Sequence, residues 1–396
     1  RLAPGARITL CLRGLDGDKT INSLRFSTGQ GMSYSINGST LTIKTGILVR
    51  DGQAGESTQT INSDIRLGAG AVWIIGGTHS DASIVEVNGS IKDDGRGYGI
   101  TKQGMVLKLN GFNTYTGPTV NKTGKLYLNG TNATAVIVHN DGAIYIGGFC
   151  PGATNVISNS RSEYGFVCVN NPAGIPRARL TFNGGYLMCY GPEKRVFHQQ
   201  VVVLESNLLV NGNVDMTFTA PIALNGNRVF DIGTISSEST KIFAGPISDG
   251  VGGPHQLTIW ANYKTRLCGT NTYTGGTVLA GSGVVTIDGE MATGLLNVKN
   301  GTPRGSCLFH FRDGDTMIVT NGASMDATAM KFDLTALKAT SWTLINYAGG
   351  MVTPPDNPND LLTPASAAMK WNITDANSKI TAERLAANAG TAVPTK

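Results

Sequence analysis

Residues able to do chemistry are sparse in this chain, and their spacing points first to turns. Acidic side chains sit mostly beside glycine: Asp16, Asp18, Asp51, Asp93, Asp94, Asp141, Asp249, Asp288, Asp313 and Asp315. Aspartate in that setting is ordinarily a turn former, because its short side chain bonds backbone a residue or two further on. Two tight clusters, Asp93-Asp94-Gly95 and Asp313-Gly314-Asp315, place carboxylates as a calcium ion takes them. Glycoside hydrolysis would need two carboxyl groups about 5–9.5 Å apart, one held protonated. A lyase would need clustered Asp for calcium and an Arg or Lys base. His79, His139, His198, His255 and His310 are scattered without an HExxH pair, and there is no G-x-S-x-G elbow, P-loop or dinucleotide fingerprint. No catalytic centre and no cofactor are therefore expected. Calcium at Asp93, Asp94, Asp313 and Asp315 is the one weak metal candidate.

The six cysteines, Cys11, Cys150, Cys168, Cys189, Cys268 and Cys307, form no CxxC. Zinc-finger and thioredoxin-like chemistry is disfavoured. Cys150, Cys168 and Cys189 are 18 and 21 residues apart. If one winding of a coil takes about that many residues, stacked positions lie about 4.8 Å apart, within disulfide reach. A Cys168–Cys189 bridge and buried free thiols are both open readings.

The elements that must carry these residues are short strands. Glycine is 52 of 396 residues and charged residues are only 15%, against a usual glycine share near 7% and charge near 25%. That composition suits strands broken by tight turns and argues against helices. The net charge of +5 is spread without a run or stripe, so no nucleic-acid partner is expected. No stretch of about 18 apolar residues exists to cross a membrane. The opening, RLAPGARITLCLRG, lacks the apolar core of a secretion signal and reads as a mature or trimmed start; the ending lacks an outer-membrane barrel pattern.

Organisation is set by a repeat. Asn113-Thr-Tyr-Thr-Gly117 returns 158 residues later as Asn271-Thr-Tyr-Thr-Gly275, inside matching units at 90–130 and 246–289. Each unit runs from an Asp-Gly turn through apolar strands and NTYTG to a closing strand. A unit that cannot bury its own apolar face must stack on neighbours. Runs such as Ile21–Phe26, Thr40–Ile43, Ile47–Val49, Ile65–Leu67 and Val72–Ile75 alternate in polarity and are separated by Gly, Asn or Asp. Frequent Asn-Gly pairs allow antiparallel hairpins as a rival. The shortness of the runs, the repeat order and the absence of helical crossovers favour a parallel β-helix with coils of ~20–25 residues. Asn and Gly at NTYTG suit coil corners, where Asn side chains can stack along the coil axis, with Tyr115 and Tyr273 packed at the corner. The expected domains are a β-helix over 1–332 and a distinct C-terminal capping or assembly unit over 333–396. In the latter, 353–364 reads as a Pro-rich loop and 379–385 as a strand, with a short helix over 380–390 as the alternative.

The two NTYTG units resemble the autotransporter-associated β-strand repeat of large bacterial exported proteins, whose run is of the type L-x-L-x-G-x-NTYTGGT-x-V-x-x-G-x-L. Thr265–Gly289 fits nearly throughout; Val106–Gly130 fits with Pro118 in place of the second Gly. INSLRF (21–26), STLTIKTGILV (39–49), INSDIRLGAGAVWII (61–75), ARLTFNGGYL (178–187) and SWTLINYAG (341–349) look like further segments of such proteins. The resemblance covers about two thirds of the chain. It implies a right-handed parallel β-helix, secreted or at the bacterial cell surface, and it implies no catalytic residues. The missing barrel departs from true autotransporters.

The expected function is that of a non-enzymatic structural protein, a subunit of an extracellular fibre, stalk or surface layer associating end to end. The alternatives are a carbohydrate-active β-helix (lyase, hydrolase or tailspike-like) and an adhesin for host or extracellular glycans. Sequons at Asn37, Asn88, Asn121, Asn129, Asn132, Asn300 and Asn372 leave glycan attachment open.

Overall fold

The computed structural model describes residues 16–385, except 29–32, 52–56, 76–82, 161–164, 199, 234–238, 263, 281–284, 288–306, 312, 314–316, 319–323, 329 and 349. The apolar run Ile8–Leu12, which also reads as a strand, lies outside the described residues. The chain divides into two compact units, Arg1–Glu205 and Ser206–Lys396. The boundary drawn from sequence at 332 falls inside the second unit, since a repeat array has no compositional break at 205. The fold is a β-solenoid of parallel stacked coils.

In the first unit one winding carries three short strands, as in Val106–Leu109, Phe112–Asn113 and Thr119–Asn121. The following winding repeats them as Lys125–Leu128, Thr131–Asn132 and Val136–His139. Each strand pairs in parallel with its equivalent one winding on. Two of the Asn-Gly pairs that suggested hairpins are coil corners instead: Asn110 and Gly111 separate the first two strands of a winding, as Asn129 and Gly130 do in the next. Parallel pairing in fixed register lines the interior with columns. Val85, Leu107, Leu126, Ile144, Val167 and Leu187 are register partners in succession and all are buried. Each such side chain contributes roughly 1.5–3 kcal/mol of burial.

Two expected strands, Thr40–Ile43 and Ile47–Val49, are one strand, Leu41–Asp51. Gly46 was read as a break. It instead carries the strand around a bend, with φ +148°, so that residues 41–43 pair with Ile65–Leu67 and residues 48–49 with Ile74 and Ile75.

The second unit repeats the design with larger side chains. Met216–Phe218, Lys241–Phe243 and Thr265–Leu267 stack in parallel, and Cys307–His310 with Met330–Asp333 likewise. Phe218 and Phe243 stack with centroids 5.2 Å apart. Parallel order then yields to an antiparallel meander: Lys379–Arg384 lies between Ser341–Asn346 and Trp371–Ala376. The 379–384 segment is thus strand and not helix. The Pro-rich loop holds a 3-10 turn, Pro358–Leu361, and leads into the only α-helix among the described residues, Pro364–Ala368. Thr363 caps that helix, accepting from Ser366 N, with Pro364 at its first turn.

A Cβ at position 46 would lie 1.8 Å from the carbonyl oxygen of Val72, which is backbone and cannot yield. Gly46→Ala should therefore destabilise the first unit by about 2 kcal/mol or more, read as a lower urea midpoint. Gly70→Ala, where a Cβ meets nothing within 4 Å, should leave the midpoint unchanged.

Candidate functional site

The repeat unit is a device for closing coil corners. A corner exposes backbone groups that no ladder satisfies, and a stacked winding hides them from water. In the first unit Asn113 is fully buried. Its Oδ1 accepts from Ile91 N at 3.0 Å in the preceding winding, while its Nδ2 donates to Asn132 Oδ1 at 2.9 Å in the next and to Gly111 O at 3.2 Å. Asp93 completes the corner. Its Oδ2 accepts from Thr116 N at 3.2 Å, Thr116 Oγ1 at 2.9 Å and Tyr98 N at 3.0 Å, and its Oδ1 accepts from Gly95 N at 3.1 Å.

The second unit reproduces this arrangement. Ile247 N donates to Asn271 Oδ1 at 3.1 Å, and Asp249 Oδ2 accepts from Thr274 N at 2.9 Å and Thr274 Oγ1 at 2.6 Å. The functional word is therefore longer than NTYTG: an Ile-x-Asp in one winding grips Asn-Thr-Tyr-Thr in the next. Gly117 and Gly275 lie flat against the preceding winding, where a Cβ would come within 2.3 Å of Gly97 O and 2.2 Å of His255 C. Tyr115 and Tyr273 point inward, 0% and 3% exposed. The Tyr115 hydroxyl bonds Thr119 Oγ1 at 2.7 Å, and Tyr273 bonds Thr277 likewise. Burial raises the Tyr115 phenol and pushes Tyr273 up to about 12. No sugar ring can stack on either face.

Of the calcium candidates, the described carboxylates Asp93, Asp94 and Asp313 are each engaged within the chain. The carboxylate of Asp93 is engaged by the four donors above. Asp94, at φ 54°, forms an ion pair with Arg66 at 3.2 Å. Asp313 accepts from Lys338 N and Ala339 N at 3.1 and 3.2 Å, and Asp315 lies outside the described residues. Among the described residues no three His, Cys, Asp or Glu side chains gather as a metal site.

The Cys168–Cys189 bridge is corrected. Cys150, Cys168 and Cys189 are buried thiols outside any disulfide. Cys168 has Met188 as its register partner, so Cys189 sits one position on and its side chain faces the opposite side of the sheet. Burial pushes the Cys150 and Cys168 thiols up to about 12, which makes them poor nucleophiles. Two of the sequon asparagines, Asn121 and Asn132, are fully buried and cannot carry a glycan.

Two polar ladders were not anticipated. On the outside of the first unit, Asn62 donates to Asn37 Oδ1 (2.6 Å), Asn88 to Asn62 (2.8 Å), Asn110 to Asn88 (2.9 Å) and Asn129 to Asn110 (2.9 Å). The signal was present in the sequence, because these asparagines recur 25, 26, 22 and 19 residues apart, one winding each. Inside, Lys102, Asn121, His139 and Ser158 are successive register partners and all buried. Lys102 Nζ donates to Gly104 O at 2.8 Å, to Thr123 O at 2.6 Å and to Met105 O. Asn121 Nδ2 donates to Gly124 O at 3.0 Å and Ala143 O at 3.1 Å. His139 Nε2 donates to Gly142 O at 2.9 Å, and its Nδ1 lies 3.0 Å from Ser158 Oγ, which is 2.7 Å from Gly184 O. Three side chains of different type thus close the same corner in three windings.

Replacing Asn113 by Ala would orphan the buried Ile91 N–H and should cost about 1–3 kcal/mol in unfolding free energy, whereas Asn110→Ser on the exposed ladder should cost under about 1 kcal/mol. Burial lowers the imidazole of His139 against the opposing pull of Gly142 O and Asp141. The unfolded chain then takes the proton more readily, so this contribution is complete above about pH 6.5 and is lost as pH falls below it. His139→Asn, which keeps a donor for Gly142 O, should flatten thermal stability between pH 7 and 5. For Asp93 and Asp249 burial raises the carboxyl, but the hydrogen bonds, those of Thr116 and Thr274 foremost, outweigh it and hold the group below the usual range. Their contribution is complete above about pH 4 and is lost as pH falls through their depressed range. Acid unfolding scans of Asp93→Asn and Asp249→Asn should show a shallower decline below pH 4.

No protein-family profile, characterised protein or solved structure matches this chain.

Proposed function

We propose that the protein is an exported, non-enzymatic structural β-solenoid, a self-associating subunit of an extracellular fibre, stalk or surface layer. The observation that carries this reading is the use made of its polar side chains. Asp93, Asp249, Lys102, Asn121, Asn113 and His139 all close corners of the coil on themselves. The carboxyls of Asp93 and Asp249 are held low, the reverse of what a general acid needs, while burial raises that of Asp231. Export rests on the resemblance of the NTYTG units and on the low charge of a chain rich in Gly, Asn and Thr.

Self-association has a structural support in the first unit. Among the described residues, Lys19–Thr28 pairs along one edge only, with Leu41–Asp51. An edge that no described residue pairs with is a template for a further strand. In the second unit the edge strand Trp371–Ala376 is blunted, since Ile373 N donates to Asn359 Oδ1 at 2.8 Å. Head-to-tail addition at such an edge grows a filament when it does not close.

Electron microscopy of the purified chain, with sedimentation velocity over a concentration series, tests this. Filaments or layers and a concentration-dependent rise in sedimentation coefficient are expected. Dispersed single particles at all concentrations would overturn the assembly reading. Release of reducing ends from a polysaccharide panel would overturn the non-enzymatic one.

A further inference from the structure

The first unit carries a groove that the corner-closing design does not use. It measures about 340 Å³ and is lined by Thr154, Asn155, Arg177, Ala178, Arg179 and Val201, which come from three successive windings. That volume lies at the lower end of the range of small-ligand sites. Arg177 and Arg179 are both exposed, and among the described residues neither guanidinium has a hydrogen-bonding or ion-pair partner. No acidic side chain lines the groove.

The wall that presents them is held in place. Residues 171–178 leave the sheet through a 3-10 turn, Pro172–Gly174. The buried Gln200 anchors this segment, donating from Nε2 to Pro172 O at 3.1 Å and to Ile175 O at 2.9 Å. Cys150 N donates to Gly174 O at 2.5 Å from the winding below. Arg179 is then fixed in register beside Asn155, and Arg179 N donates to Thr154 O at 2.9 Å. Thr154 Oγ1 donates to Ala135 O at 3.1 Å and accepts from Asn155 Nδ2 at 3.2 Å. What faces the groove is therefore rich in donors: two guanidinium forks and the remaining Asn155 N–H.

We infer that this groove binds the oxyanion groups of an acidic glycan, the carboxylates of uronic acids or sulfate esters. Planar guanidinium forks match such oxyanions in pairs of hydrogen bonds, which a neutral sugar cannot exploit as fully. A saccharide fits better than a nucleic acid. The groove carries two cations and no aromatic side chain on which a base could stack, while hydroxyl and amide groups line its floor. The site goes beyond the structural role proposed above: a subunit that builds a layer or stalk would also hold an acidic polysaccharide against its flank.

The test is titration calorimetry of the full chain at 50 mM salt with polygalacturonate and dextran sulfate as probes, and neutral dextran and single-stranded poly(dA) as comparisons. Binding of either acidic glycan is expected, weakening as salt is raised, with neutral dextran inert. The double variant Arg177→Gln/Arg179→Gln should lose about tenfold or more in affinity. Arg96→Gln, an exposed arginine elsewhere on the same unit, should bind as the parent does. Because both groove arginines are exposed, circular dichroism of the double variant should match the parent. No binding of either acidic glycan, equal loss from Arg96→Gln, an unaffected double variant, or tighter binding of poly(dA) would each overturn the inference. Electron micrographs read the assembly proposal separately, so failure of one is distinguishable from failure of the other.

Discussion

The coiled part of this molecule follows from the stacking of one winding on the next at a single strand spacing. Along the strands that stacking satisfies the backbone without help, since each N–H and C=O meets its equivalent one winding away. At the corners it does not. There the chain turns while a neighbouring winding lies against it, and water cannot reach in to serve the orphaned groups. The side chains that serve them instead are Asn113, Asp93, Asn121, Lys102 and His139. A corner must be shallow as well as satisfied, which is why Gly117 and Gly275 stand where a methyl group would collide with backbone.

This division of labour explains the electrostatics. A carboxylate fed by several N–H and O–H donors is stabilised as the anion even where burial opposes it, as in the buried Asp93 and the half-buried Asp249. An imidazole that merely replaces an asparagine in a buried column is pressed toward neutrality, as His139 is. Both shifts are by-products of closing the coil. Perturbed titration marks active sites in many proteins, yet in a solenoid it equally marks corners. The groove at Arg177 and Arg179 stands apart because its charges serve no corner.

The architecture was legible because the signals were local and repeated. Ile65–Leu67 was read with the bounds it has, and Val72–Ile75 within one residue, since inward and outward positions alternate strictly. The NTYTG corner was legible as structure, and the Asn113 to Asn132 bond is the axial stacking expected of it. The partner of the corner was harder to see. Asp93 and Asp249 look like ordinary turn formers, and only the register of two windings reveals that each receives a threonine about one winding further on. Cys168 and Cys189 misled for the same reason. Their separation of about one winding was right, but windings here vary in length, so a shift of one residue reverses the face. The arginine pair of Pro-Arg-Ala-Arg carried no sequence signal, because its significance lies in a wall held by Gln200.

The outer asparagine ladder has a chemical corollary. Asn-Gly is the dipeptide most given to spontaneous deamidation, in which the glycine nitrogen attacks the asparagine side chain to close a cyclic imide. In this coil the attacking nitrogens of Gly89 and Gly130 are tied to Ile61 O and Leu109 O of the preceding winding. The amides they would attack are held by their neighbours in the ladder. The same contacts that keep the windings in step therefore shield the chain from chemical ageing, and the shield lasts only while the coil stays wound.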